Sequence, residues 1–305
     1  MRITVMGAGG VGGYFGARLA QGGCDVGFVS RGNHLAAMRE HGLRIESELG
    51  NIDLPAVRVS DDPVALGAAD VVLICVKLWD TEAAAQAIKP IVGPETTVIS
   101  LQNGVQKDEV LRTTFGPQTV MGGLCYIGSK ILRPGVIQHT GKLQRLEFGE
   151  YDGSVSPRAE AFLEACRSGE IDAEVSTDIQ RSIWEKFVFL VGLSATTTSM
   201  RSTIGPIRAN ERTRRFLLEI MKEVVAIGRA MGVKLDEHFA ENRLAFVDGL
   251  PTTMTSSMHN DLEQGRRLEV DWLSGGVVEL GTTVGVPTPF NMAVRDILTL
   301  QANGK

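Results

Sequence analysis

Lys186 stands where a lysine costs free energy. It lies in Ile183-Trp184-Glu185-Lys186-Phe187-Val188-Phe189-Leu190-Val191, a stretch that is apolar on nearly every face of a helix. Burying an ammonium is unfavourable without a partner or a task, and partial burial lowers an ammonium's pKa toward a range useful for proton transfer. When hydride reaches a ketone carbon, negative charge grows on the oxygen, and a positioned ammonium can stabilise and then protonate it. Composition alone leaves a second reading equally open: a lysine whose stem packs while its head reaches water.

A hydride donor is signalled at the other end of the sequence. The apolar run Arg2–Met6 leads directly into Gly7-Ala8-Gly9-Gly10-Val11-Gly12-Gly13, and residues 14–20 follow with helical character. In such a G-x-G-x-x-G turn, Gly7 permits the tight bend, Gly9 admits a pyrophosphate against the backbone, and Gly12 lets the helix pack close to the strand. The helix then presents free N–H groups and its positive dipole end to the phosphates. With 35 glycines in the chain, the pattern draws its weight from its strand–turn–helix context. The next apolar run, Asp25–Val29, ends in Ser30-Arg31-Gly32-Asn33-His34. An NAD enzyme usually places Asp or Glu at that strand end to hold the ribose 2′-hydroxyl. Here Asp25 precedes the strand and Arg31 follows it, and a guanidinium suits a 2′-phosphate. The cofactor expected is NADP(H).

The elements that must position these groups form two blocks. Residues 71–76 are an unbroken apolar run ending at Lys77, as in a parallel strand buried on both faces. Residues 80–88 read as a helix stopped by Lys89-Pro90, and residues 97–101 as a strand leading into Gln102-Asn103-Gly104. Alternating strands and helices predict a doubly wound sheet, whose ligands lie outside the carboxyl ends of its strands. Gly7–Gly12, Arg31, Lys77 and Asn103 all fall at such ends; a solvated lysine and an Asn-Gly turn residue are the plainer readings of the last two. Residues 120–126, 136–139 and 145–148 read as strands without intervening helices, hence an antiparallel extension. A helix over 157–166 and a strand over 173–176 complete a first domain, 1–176, with a strand-like excursion at 43–58 that has no assigned place. Residues 179–193, 212–231, 238–246, 257–265 and 270–281 read as helices of a second domain, 177–305. The expected class is α/β: an N-terminal Rossmann-like doubly wound sheet with an all-helical C-terminal domain.

Composition narrows the function by exclusion. The chain has 305 residues, 43% hydrophobic and 22% charged, with a formal net charge of −5. Nothing in this balance calls for nucleic acid. Cys24, Cys75, Cys125 and Cys166 show no C-x-x-C spacing, and two lie in apolar stretches, which predicts buried free thiols. His34, His41, His139, His238 and His259 are scattered without metal-ligand spacing. The apolar run over residues 187–193 is too short to span a bilayer. A strand that begins at residue 2 leaves no room for a signal peptide, so the expected location is cytoplasmic. A homodimer formed through the helical domain is compatible with the sequence, although no apolar stripe marks it.

A second polar cluster, residues 255–271, reads as a capped helix of mixed charge, and its spacing does not single out Glu269 from Glu263 or Asp271. Taken in order, G-x-G-x-x-G, V-K after the fourth main strand, L-Q-N-G, W-x-K-F and S-S-M-x-x-D-x-x-x-G-R-x-x-E-V-D resemble the ketopantoate reductase (2-dehydropantoate 2-reductase) family from Met1 to about Pro289. The resemblance implies a Rossmann-type NADP(H) domain, a helical domain, an active site between them, and reduction of 2-dehydropantoate to (R)-pantoate in pantothenate biosynthesis. It makes Lys186 the general acid and Glu269 the carboxylate that helps hold the lysine and substrate. It places Asn103 near the nicotinamide and substrate, Ser257 on the substrate carboxylate, and Lys77 in the V-K motif.

The chain departs from the family at three positions. Leu190 and Ser194 stand one and two turns beyond the lysine, and Met254 three residues before the serine, where characterised members carry asparagines. Those asparagines recognise pantoate, and a pocket that hydrogen-bonds a hydroxyl discriminates far better than an apolar one. The departures favour a bulkier or more apolar 2-oxo acid, reduced to a D-2-hydroxy acid. A non-catalytic NADP(H) sensor is the alternative from another class, and it would need neither Lys186 nor Glu269.

Overall fold

A computed structural model describes all 305 residues, which divide into two compact units. One comprises Met1–Asn103 and Lys107–Ile179; the other comprises Gly104–Gln106 and Gln180–Lys305. The first unit runs β1 (Arg2–Met6), α1 (Gly10–Gln21), β2 (Asp25–Val29), α2 (Gly32–His41), β3 (Leu43–Ser47), β4 (Ile52–Leu54), β5 (Arg58–Ser60), β6 (Val71–Ile74), α3 (Thr81–Ile88) and β7 (Thr97–Ser100). It continues with α4 (Lys107–Phe115), β8 (Val120–Arg133), β9 (Val136–Gly149), α5 (Pro157–Ser168) and β10 (Asp172–Val175).

Strands β5-β2-β1-β6-β7-β8 lie in that spatial order and pair in parallel, the doubly wound arrangement with β5 in the third strand's place. Every residue of β6 and β7 is buried, which explains the continuous apolar run of β6; β7 buries Thr97 and Ser100 at its ends as well. Alternation still governs which face each side chain covers. Ile3, Val5, Val71 and Leu73 join a core with α1, whereas Met6, Val72 and Ile74 join another with α3.

Beyond β8 the sheet turns antiparallel. β8 and β9 form a long hairpin; β9 carries β3 in parallel over Val136–His139 and β10 in parallel over Arg145–Phe148. The two short strands expected at 136–139 and 145–148 are therefore one. An irregularity around Gly141 (φ +79°) breaks the alternation without ending the strand. Helices α2 and α4 carry no apolar period for the sequence to show, since α2 buries only His34, Leu35 and Met38 and α4 buries Lys107, Asp108 and Leu111.

The second unit contains α6 (Ile179–Ser199), α7 (Ile204–Ala209), α8 (Glu211–Ala230), α9 (Phe239–Asp248), α10 (Ser257–Glu263), α11 (Ser274–Val284) and α12 (Pro289–Leu298), and no strand. Their apolar faces share one core that includes Phe187, Val191, Leu217, Ile220, Val224 and Val277. Two sequence expectations are corrected here. Residues 255–271 are not one helix: α10 stops at Glu263, and Gly265 takes φ +63°, a turn that a helix cannot continue through. In consequence α11 starts at Ser274 rather than near residue 270. No helix is long and apolar enough to cross a membrane.

The sheet–helix contact sets the first testable consequence. A Cβ on Gly12 would fall 2.2 Å from the Gly7 carbonyl oxygen, an atom that cannot rotate away, whereas one on Gly9 meets nothing within 4 Å. Gly12→Ala should therefore lower unfolding free energy by about 1–3 kcal/mol in urea titrations, and Gly9→Ala by much less.

Candidate active site

The carboxyl edge of the parallel sheet gathers four of the segments singled out by sequence. Gly7 adopts φ +103°, and a Cβ there would sit 2.9 Å from the Val76 nitrogen. The amides of Gly7 and Ala8 both donate to the Val29 oxygen, at 3.2 and 2.9 Å, so the chain bends across the end of β2 into α1. No side chain caps α1 and its first turn holds no acidic residue. Open space over Gly9 therefore meets amides and a positive dipole end, the features that bind an anion. The place lies where strand order reverses between β1 and β6.

The neighbouring strand ends complete this edge. Arg31 follows β2 as an exposed residue in extended conformation, and the first turn of α2 carries no carboxylate. Lys77 follows β6, with its ammonium 5.7 Å from the centroid of the Trp79 ring. Asn103 follows β7 and is half-buried.

Two polar links hold these loops, and neither was legible in the sequence. The Ser100 hydroxyl donates to Gln102 Oε1 (2.9 Å), Gln102 Nε2 donates to Thr81 Oγ1 (2.8 Å), and the Thr81 hydroxyl donates to the Leu78 oxygen (2.7 Å). This buried chain ties the Asn103 loop to the turn that follows Lys77. His34 supplies the second link. The Gly135 amide donates to its Nδ1 (3.0 Å), which leaves the ring proton on Nε2, and that proton goes to the Ala8 oxygen (2.9 Å). His34 thus joins the glycine-rich turn, α2 and the tip of the β8–β9 hairpin. Burial lowers its pKa, opposed only by the Ala8 bond.

In the second unit, Lys186, Leu190 and Ser194 follow one another at helical spacing along one face of α6. Lys186 is half-buried, Leu190 packs against the helical core, and Ser194 is fully buried, with no partner in the protein for its hydroxyl. Ser257 is the exposed first residue of α10. Its neighbour Ser256 caps that helix, accepting from the His259 amide (3.1 Å) and bonding the Thr197 hydroxyl (3.0 Å). His259 Nδ1 donates to the Thr197 oxygen (2.8 Å), so the start of α10 is fixed to the end of α6.

Glu269 lies between α10 and α11 and is only 6% exposed. Its carbonyl accepts from the amides of Trp272 and Leu273, at 3.1 and 3.0 Å. Gln106 belongs to this unit and donates to the Trp272 oxygen (3.3 Å) beside the same turn. Met254 is half-buried against the helical core.

Comparison with known proteins places this architecture. The family model for ketopantoate reductase PanE/ApbA matches residues 3–153, and the model for its C-terminal part matches residues 178–302. A 2-dehydropantoate 2-reductase of Mesorhizobium japonicum is 33% identical over 96% of this chain and 95% of its own. An uncharacterized oxidoreductase of Bacillus subtilis, YkpB, is 32% identical over 95% of both chains. Among solved structures, a PanE/ApbA family ketopantoate reductase of Ralstonia eutropha superposes with a TM-score of 0.90 at 30% identity, covering 99% of this chain and 98% of that one. D-mandelate dehydrogenase, solved with NADH and anilino(oxo)acetate, reaches a TM-score of 0.89 at 19% identity over 99% and 98%, a likeness of fold.

The His34 link predicts a pH dependence with a definite sign. The unfolded chain takes up a proton near pH 6.5 that the native fold, with its lowered value, resists. Stability from this residue is complete above that pH and declines as pH falls below it. Urea unfolding at pH 8 and pH 5.5 should show the decline in the parent chain and a shallower one in His34→Ala. That variant should also lose about 1–3 kcal/mol at pH 8, because it leaves the Gly135 amide and the Ala8 oxygen unpaired.

Proposed function

The chain belongs to the PanE/ApbA ketopantoate reductase family, and within it we propose that it is an NADPH-dependent reductase of a 2-oxo acid, foremost 2-dehydropantoate to (R)-pantoate. The observation that carries this reading is the uncapped start of α1, with open space over Gly9 and Arg31 at the end of the next strand. In this reading residues 1–176 hold the nucleotide, and residues 177–305 supply the substrate and proton-transfer groups.

Bound NADPH supplies the hydride. The protein's part is placement and charge. The amides at the start of α1 take the pyrophosphate, Gly7 and Gly12 keep that turn against the sheet, and Arg31 takes the 2′-phosphate beside a first turn of α2 that carries no carboxylate. Lys77 and Asn103 stand at the same edge, with Asn103 also oriented to the substrate by its paired donor and acceptor. Ser257 takes the substrate carboxylate. As hydride reaches the ketone carbon, Lys186 Nζ gives its proton to the carbonyl oxygen, and it is recharged afterward from solvent. The buried Glu269 carboxylate keeps the lysine protonated and in place.

A second reading rests on Leu190 and Met254. Both present half-buried apolar side chains at positions where the family carries asparagines, so a substrate hydroxyl finds fewer partners. An apolar 2-oxo acid, reduced to a D-2-hydroxy acid, fits such a surface. A cofactor sensor without catalysis would leave Lys186 and Glu269 without a task.

The deciding experiment is NADPH oxidation with 2-dehydropantoate, 2-oxoisovalerate and phenylglyoxylate in parallel. A preference for 2-dehydropantoate by orders of magnitude supports the first reading; preference for either apolar acid supports the second. NADPH binding with no acid reduced would remove the enzyme. Lys186→Ala should lower kcat by about 10²–10⁴-fold with NADPH affinity intact. Arg31→Ala should weaken NADPH by about tenfold to a hundredfold and leave NADH unchanged.

A further inference from the structure

Lys107 is 2% exposed, deeper than any other charged side chain in the first unit. Its ammonium donates to the Ser100 oxygen (3.1 Å), the Gly123 oxygen (2.9 Å) and both carboxylate oxygens of Asp108 (3.0 Å each). Asp108 in turn accepts from the Tyr151 hydroxyl (2.7 Å), and the Arg112 guanidinium lies 4.4 Å from the centroid of the Tyr151 ring. Every proton of the ammonium has an acceptor, so the burial is compensated.

The position of these acceptors shows what the clamp does. Pairing between β7 and β8 covers Val98–Val120 and Ile99–Met121 and then stops. Ser100 and Gly123 lie just past that point, and Lys107 Nζ bridges the two carbonyls where the ladder no longer does. Ser100 also begins the segment that Lys107 ends, so one ammonium closes the loop on itself with Asn103 near its middle. Gln102, bonded to Thr81, and the Cys125 thiol, which donates to the Leu101 oxygen, are further buried side-chain ties of this loop within the sheet unit. Immediately after Asn103, residues Gly104–Gln106 group with the helical unit, and Lys107 marks the return to the sheet. A well-packed apolar side chain could stabilise as much; a buried ion pair adds fixed geometry.

We propose that Lys107 is a positioning residue: its buried ammonium fixes the loop over residues 101–106 so that Asn103 is held for hydride transfer. The inference rests on the reading of Asn103 as a cofactor- and substrate-facing group. Lys107 itself touches neither reactant.

The test uses Lys107→Met combined with Asp108→Asn, which removes both charges together and leaves no uncompensated one. This double variant is compared with Asn103→Ala and with the triple combination. The readouts are kcat and KM with the best 2-oxo acid, NADPH affinity by fluorescence, and amide hydrogen exchange over residues 101–106. The double variant should lose about tenfold to a hundredfold in kcat, keep its NADPH affinity, and exchange faster in that loop. The triple variant should be no slower than Asn103→Ala, because both changes act through one side chain. Multiplying effects, an unchanged kcat, or unchanged exchange would each overturn the proposal. Full activity in Asn103→Ala would instead overturn the reading of Asn103, with loop exchange still deciding whether the clamp exists. If the double variant fails to fold, Tyr151→Phe replaces it, with a smaller fall in kcat and the same loop-specific exchange expected.

Discussion

The ligand-facing edge of the sheet unit depends on how closely α1 approaches β1 and β2. Gly12 lies so near the Gly7 carbonyl, and Gly16 so near the Phe28 ring (2.4 Å from an ideal Cβ), that no side chain fits at either position. This proximity stands the start of α1 over the gap between β1 and β6, where strand order reverses. Were the helix an atom's width farther out, its free amides would miss the crevice that the sheet opens there. The other strand ends flank a position that backbone packing alone has already defined.

Buried polar groups then hold the loops around that position, each by a different device. His34 is kept neutral and uses both ring nitrogens to join the glycine-rich turn to a distant hairpin. Gln102 and Thr81 form a chain of neutral donors and acceptors between two strand ends. Lys107 uses full charge, compensated by Asp108 and two carbonyls. Each device is effective only because its acceptors are complete; an incomplete one would cost more than an apolar core. These links are buried beneath the edge.

The difference between what was legible and what was not follows from the same physics. β6 could be read because a strand buried on both faces needs an unbroken apolar run, and β1 because its glycine-rich turn follows it. The places of Arg31, Lys77 and Asn103 after strand ends could be read because each follows such a strand in the sequence. Helix α4 could not, since what it buries is largely charge: Lys107 and Asp108 read as surface until their partners are seen. His34 looked like an isolated histidine because its partners, Ala8 and Gly135, are backbone groups 26 and 101 residues away. Local periodicity puts Glu269 on a helix that in fact ends before Gly265, because a glycine in the left-handed region stops it.

Under the proposed function, the arrangement along α6 would let such a protein change substrate without changing chemistry. Lys186, Leu190 and Ser194 are successive positions on one face, each about 6 Å farther along the axis at 1.5 Å per residue. In the proposed reading the proton donor sits on one turn of the helix and half-buried Leu190 on the next, while Ser194, a further turn on, is fully buried. In that reading a change at Leu190 alters what a substrate can meet, while the backbone carrying Lys186 stays where α8 and the core pack it. Ser194 retains a small polar group without a partner in the protein, and Leu190 retains none. In that reading selectivity on this face follows Leu190, and Ser194, closed off from the surface, can act on it only from within the core.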